Sequence, residues 1–117
     1  MEPIKRLYKK GKTVMRSLHI DQSLYEKLQY LSENVFDASV SKIVNVCVET
    51  MLKDKEHIKY YKKPHKEDSI YRSILFRKEF YDECIKIREE KGISFSRIIN
   101  GSIKEFLDTY NGKYFKI

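Results

Sequence analysis

Two short stretches place hydroxyls and a cation at the same spacing, Ser39-Val40-Ser41-Lys42 and Ser94-Phe95-Ser96-Arg97. A serine directly before an apolar, helix-periodic run reads as an N-cap. The first turn of such a helix carries backbone N–H groups without helical partners. A pair of hydroxyls followed by Lys42 or Arg97 therefore makes an anion clamp suited to phosphate. Capping accounts for one serine of each pair and does not exclude a phosphate contact. The other reactive side chains form no constellation. Cys47 and Cys84 are the two cysteines of the chain. They are too few and too far apart for a zinc site or a disulfide framework, and both fall on apolar stripes where a thiol is core. His57 and His65 stand isolated in a lysine-rich stretch. There is no glycine-rich phosphate loop, no zinc spacing and no nucleophile–base arrangement. Neither catalysis nor a cofactor or metal is expected.

Charge sharpens the anion reading. The chain has 117 residues, 41% hydrophobic and 35% charged, with a net charge of +7, as suits one compact domain or two very small units sharing a core. Six Lys and Arg against Glu2 give residues 1–20 a net +5, and six Lys against Asp54 and Glu56 give residues 53–66 a net +4. The remainder sums to −2. Positive charge segregated into an arm and a linker favours a polyanionic partner over plain solubilising surface charge. No apolar run approaches the roughly 20 residues that cross a bilayer, and the amino end has no apolar signal region. The expected location is cytoplasmic, with no membrane partner.

The elements that position these residues occur twice. Met15-Arg-Ser-Leu-His-Ile-Asp-Gln-Ser-Leu-Tyr-Glu aligns with Tyr71-Arg-Ser-Ile-Leu-Phe-Arg-Lys-Glu-Phe-Tyr-Asp at an offset of 56, with Arg16/Arg72, Ser17/Ser73, Tyr25/Tyr81 and Glu33/Glu89 identical. After one residue is dropped in the next loop, Ser39-Val-Ser-Lys-Ile-Val-Asn aligns with Ser94-Phe-Ser-Arg-Ile-Ile-Asn at an offset of 55. A single gap confined to a loop is what a duplicated structural unit tolerates.

Each repeat opens with period-two alternation, residues 14–20 and 70–76, the pattern of a strand with one buried face. A first helix follows, with Leu24, Leu28, Leu31 and Val35 in one stripe, or Phe80, Cys84 and Ile87, and Gly92 as a left-handed C-cap. The second helix carries Val40, Ile43, Val44, Cys47, Met51 and Leu52, matched by Phe95, Ile98, Ile99, Ile103, Phe106 and Leu107. A lone strand exposes an unpaired edge, so the two strands are expected to pair as an antiparallel ribbon over four helices. The boundaries are a basic arm 1–12, a first unit 13–53, a basic linker 54–68, a second unit 69–110 and a tail 111–117. The 15-residue linker spans about 50 Å when extended, enough to cross so small a body.

This ordered set, with Gly92-Ile-Ser-Phe-Ser-Arg-Ile-Ile as the turn between helices, resembles the ribbon-helix-helix family of the Arc and methionine repressors. The resemblance covers residues 13–53 and 69–108. It implies a mainly α fold of two tandem ribbon-helix-helix units forming a pseudo-dimer, with a two-stranded antiparallel β-ribbon and four core helices. Family members usually carry one unit per chain and dimerise; two fused units are similar to tandem regulators of archaeal viruses, where the cytoplasm would be the host's. The resemblance further implies double-stranded DNA as partner, the ribbon in the major groove, and a sequence-specific transcriptional regulator, a repressor by preference. Met15, Ser17, His19, Tyr71, Ser73 and Leu75 would then meet base edges. The residues agree on parity, because Leu18, Ile20, Ile74 and Phe76 must face the core. Hydroxyls and imidazole hydrogen-bond base edges, and Met or Leu touch thymine methyls. If Ser17 faces Ser73, antiparallel pairing sets His19 beside Tyr71 and Met15 beside Leu75.

Lys9, Lys10, Lys12, Arg16, Arg72, Ser39, Ser41, Lys42, Ser94, Ser96 and Arg97 are the expected phosphate contacts. Strict alternation turns Arg16 and Arg72 toward the core, where an unpaired guanidinium is costly; they are expected at the ribbon margin, stems covered and heads toward phosphate. Tyr8, Tyr60 and Tyr61 beside their lysines offer stacking surfaces, and Tyr114-Phe115 a contact for self-association into dimers or higher oligomers on DNA. Within the same fold the alternatives are a plasmid or phage partition protein and an antitoxin, although the tail is short for wrapping a toxin. Outside it stands a protein-interaction module whose basic segments bind acidic partners.

Overall fold

Alternation along residues 13–21 and 69–77 produces the only sheet among the described residues. The computed structural model describes the backbone of residues 12–54 and 68–114, and their side chains as far as Thr109. Strand β1 (Thr13–Asp21) pairs antiparallel with β2 (Ser69–Arg77), with Ser17 opposite Ser73 at the centre of the register. Leu18, Ile20, Ile74 and Phe76 turn inward and are buried. Four helices, among the described residues, complete a mostly helical body: α1 (Gln22–Asn34), α2 (Val40–Leu52), α3 (Lys78–Lys91) and α4 (Phe95–Tyr114).

Local chemistry sets the helix bounds. Asp21 caps α1, its carboxylate accepting from the N–H groups of Ser23 at 3.0 Å and Leu24 at 3.4 Å. Ser39 caps α2 by accepting from Lys42 N–H at 3.2 Å, and Ser94 accepts from Arg97 N–H at 3.3 Å at the start of α4. Gly92 closes α3 at φ +66, a left-handed conformation that favours glycine. The α1 stripe is shorter than its spacing suggests. Leu24, Leu28 and Leu31 are buried, but Val35 is the C-cap and exposed, because the chain leaves the helix one turn after Leu31. Helix α4 continues to Tyr114, four residues past the bound of 110 read from the sequence.

The core lies between the ribbon's inner face and the helices. It unites Ile43, Val44, Cys47 and Val48 of α2, Cys84 and Ile87 of α3, and Ile98, Ile99, Ile103, Phe106 and Leu107 of α4. Full burial of each large side chain contributes about 1.5–3 kcal/mol. Phe76, wholly buried, meets Phe95 edge-on with ring centres 5.2 Å apart, and Phe95 meets Tyr81 at 5.3 Å. Val40, Met51, Leu52, Phe80 and Phe95 are only half-buried at the rim. Every buried side-chain polar atom among the described residues has a hydrogen-bond partner. No helix among them is long and apolar enough to cross a membrane.

Candidate functional site

The ribbon's outer face is exposed along its length. Met15 and Tyr71 are each 58% exposed and Leu75 41%, large side chains left in solvent while Leu18, Ile20, Ile74 and Phe76 on the inner face are covered. At the centre the hydroxyls of Ser17 and Ser73 share a hydrogen bond of 2.7 Å. Toward one end the rings of His19 and Tyr71 lie 4.7 Å apart, and Ser69 Oγ stands 3.4 Å from His19 Nδ1. Toward the other, Met15 faces Leu75.

Arg16 and Arg72 escape burial by a crossed arrangement. Arg16, in the first repeat, lies over the ring of Tyr81 in the second, 5.0 Å from its centre, and its Nε donates to the Tyr81 hydroxyl at 3.2 Å. Arg72, in the second repeat, lies 5.5 Å over Tyr25 of the first. Each guanidinium also donates to the carbonyl of the preceding residue, Met15 at 2.8 Å and Tyr71 at 3.1 Å. Both residues are exposed. A cation over an aromatic face is held without losing its water, so two guanidiniums flank the central serines at fixed positions.

The strands are held from below by a second crossed set. Asn45 of α2 donates to Leu75 carbonyl and accepts from Arg77 N–H, both at 2.8 Å, while Ser41 Oγ accepts from Leu75 N–H at 3.1 Å. Asn100 of α4 does the same for β1: it accepts from Asp21 N–H at 2.9 Å and donates to His19 carbonyl at 3.0 Å. Ser96 Oγ adds a bond to that carbonyl at 2.8 Å. Each second helix thus grips the strand of the other repeat. The outer face is presented by backbone pinned at His19, Asp21, Leu75 and Arg77.

No protein-family description, curated protein or solved structure matches this chain.

The six expected base-facing residues share one exposed face. The four serines divide: Ser39 and Ser94 cap their helices, whereas the hydroxyl of Ser41 accepts from Leu75 N–H and that of Ser96 donates to the His19 carbonyl of the opposite strand. Lys42 and Lys12 are exposed and Arg97 half-buried. Lys9 and Lys10, the linker residues His57, Tyr60, Tyr61 and His65, Tyr8, and the Tyr114 and Phe115 side chains lie outside the described residues. Asn45 and Asn100 were missed as positioning residues; their signal was identity in both repeats at an otherwise apolar face. Cys47 is buried, and desolvation pushes its thiol far up, as for a core thiol. Among the described residues no three His, Cys, Asp or Glu side chains converge to hold a metal.

Proposed function

We propose that the chain is a single-chain pseudo-dimer of two ribbon-helix-helix units that binds double-stranded DNA through its ribbon and regulates transcription, acting as a repressor by occupying promoter DNA. The observation that carries this reading is the solvent-exposed outer face of the ribbon, Met15, Ser17, His19, Tyr71, Ser73 and Leu75, set on a backbone pinned from both sides. A two-stranded ribbon fits a major groove about 12 Å wide. Arg16 and Arg72, stacked at the margins, would meet phosphates on either side; Ser39 and Ser94 at helix N-termini, with Lys42 and Arg97, would meet others. Lys9, Lys10 and Lys12 would add sequence-independent attraction, and further copies would associate along the DNA.

Fluorescence anisotropy on a selected duplex and on random duplex, across a salt series, tests the proposal. Replacing Lys9, Lys10 and Lys12 with Ala weakens binding to both alike, with the log K against log salt slope shallower by about one unit for each phosphate no longer neutralised. Ser17→Ala with Ser73→Ala instead lowers the specific-to-random ratio, by about 1–3 kcal/mol per base pairing removed. A ratio unchanged by the serine substitutions would remove the ribbon from the groove.

A further inference from the structure

The register places unlike chemistry at the two ends of the ribbon. Residues 15 and 71 are equivalent in the repeat, as are 19 and 75, so a symmetric ribbon would present the same pair at both ends. This chain keeps identity only near the centre, at Arg16/Arg72 and Ser17/Ser73. On one side the pair is His19 with Tyr71, polar and aromatic, backed by Ser69. On the other it is Met15 with Leu75, wholly apolar. The divergence continues outward. Asp21 ends the His19 side and is spent on capping α1, while its repeat equivalent Arg77 ends the Met15 side, where its side chain lies over Phe80 and pairs with Glu79 at 2.8 Å.

We propose that the ribbon reads a non-palindromic site and therefore binds DNA in a single orientation. This rests on the DNA reading above and names the specificity-determining residues within it. The Met15/Leu75 end prefers thymine, whose C5-methyl is the apolar group a major groove offers. The His19/Tyr71 end hydrogen-bonds purine N7 or O6, or a cytosine amino group. Four residues of strand separate position 15 from position 19, about 13 Å, or the rise of about four base pairs. The two preferences should therefore sit about four base pairs apart, on either side of a centre where Ser17 and Ser73 present the same chemistry to both halves. A homodimeric ribbon matches a palindrome because operator symmetry mirrors protein symmetry. Here that symmetry is broken in the side chains while the backbone pairing retains it.

Selection from random duplexes at one salt concentration, run on the wild-type chain, His19→Ala and the Met15→Ala/Leu75→Ala pair, tests this. All three residues are exposed, so unchanged melting curves serve as the folding control. The expected wild-type site has unlike halves. His19→Ala relaxes one half only and the Met15/Leu75 pair the other half only, each by roughly 5- to 150-fold in base preference. A chemical readout is independent of protein folding: replacing thymine by deoxyuracil, which lacks the methyl, weakens binding several-fold in the Met15/Leu75 half and not in the other. A palindrome altered equally in both halves by His19→Ala would overturn the asymmetry while leaving DNA binding standing. An asymmetric site indifferent to His19→Ala and to deoxyuracil would overturn the residue assignment. Failure to enrich any sequence would overturn the DNA reading itself and this inference with it.

Discussion

Replacing Asn100 with Ala removes the clasp between α4 and β1. Asn100 is fully buried, and its amide accepts from Asp21 N–H at 2.9 Å while donating to His19 carbonyl at 3.0 Å. Without it, Asp21 N–H loses this acceptor, at about 1–3 kcal/mol for an unsatisfied buried group. The His19 carbonyl keeps its bond from Ser96 Oγ, so removing the second bond there costs about 0.5–1.5 kcal/mol. The sum is about 3 kcal/mol, or roughly 10–15 °C in melting temperature for a domain of this size. Asn100→Leu keeps much of the volume and orphans the same groups, so it should cost about as much and separates hydrogen bonding from cavity formation. Asn45 makes the equivalent bonds to Leu75 and Arg77 but is only half-buried. Water can replace its amide, and Asn45→Ala should cost about 1 kcal/mol. Urea unfolding followed by circular dichroism measures all three. If both Asn100 variants were destabilised by under about 1 kcal/mol, or if Asn45→Ala cost as much as Asn100→Ala, burial would not be what gives the clasp its strength.

The ribbon pairs two strands of one chain, so dilution should leave the melting temperature unchanged; a steady fall with concentration in calorimetry would mean that strands are exchanged between chains. Gly92 sits at φ +66 with open space where a Cβ would stand, so Gly92→Ala should cost about 1–2 kcal/mol through the backbone alone, read from the urea midpoint. The buried Cys47 thiol is held neutral in the folded state, while the unfolded chain ionises it above its ordinary value of 9.0. The folded protein then binds more protons, so stability should fall as pH rises past about 9, by up to about 1.4 kcal/mol per unit, and Cys47→Ala should flatten that slope. Equal slopes in the two proteins would show that other groups set the alkaline limit.

Leu18, Ile20, Ile74 and Phe76 were legible because a strand with one covered face must alternate, and the repeat supplied each strand with a partner. The central pairing of Ser17 with Ser73 followed from the same duplication. Arg16 and Arg72 were placed at the margin by the cost of burying a guanidinium, but their partners were not legible. Tyr81 lies 65 residues from Arg16, and nothing local links them. The same holds for Ser41 and Ser96, whose positions fit a capping cluster equally well; only the opposite strand's backbone reveals what their hydroxyls bond. Val35 continued the α1 period in the sequence. A stripe records spacing, however, and not the turn at which the chain leaves its helix.

The crossed grips have a consequence for how the chain is made. Asn45 and Ser41 hold β2, Asn100 and Ser96 hold β1, and the ribbon joins segments some 56 residues apart. During synthesis, β1, α1 and α2 emerge with Leu18, Ile20 and the apolar stripes uncovered and no strand to pair with. At about 5–20 residues per second, the roughly 25 residues from the end of α2 to the end of β2 take about 1–5 s. Through that interval the nascent first half offers a bare strand edge to any neighbour translating the same message, and dense polysomes would favour pairing between chains over pairing within one.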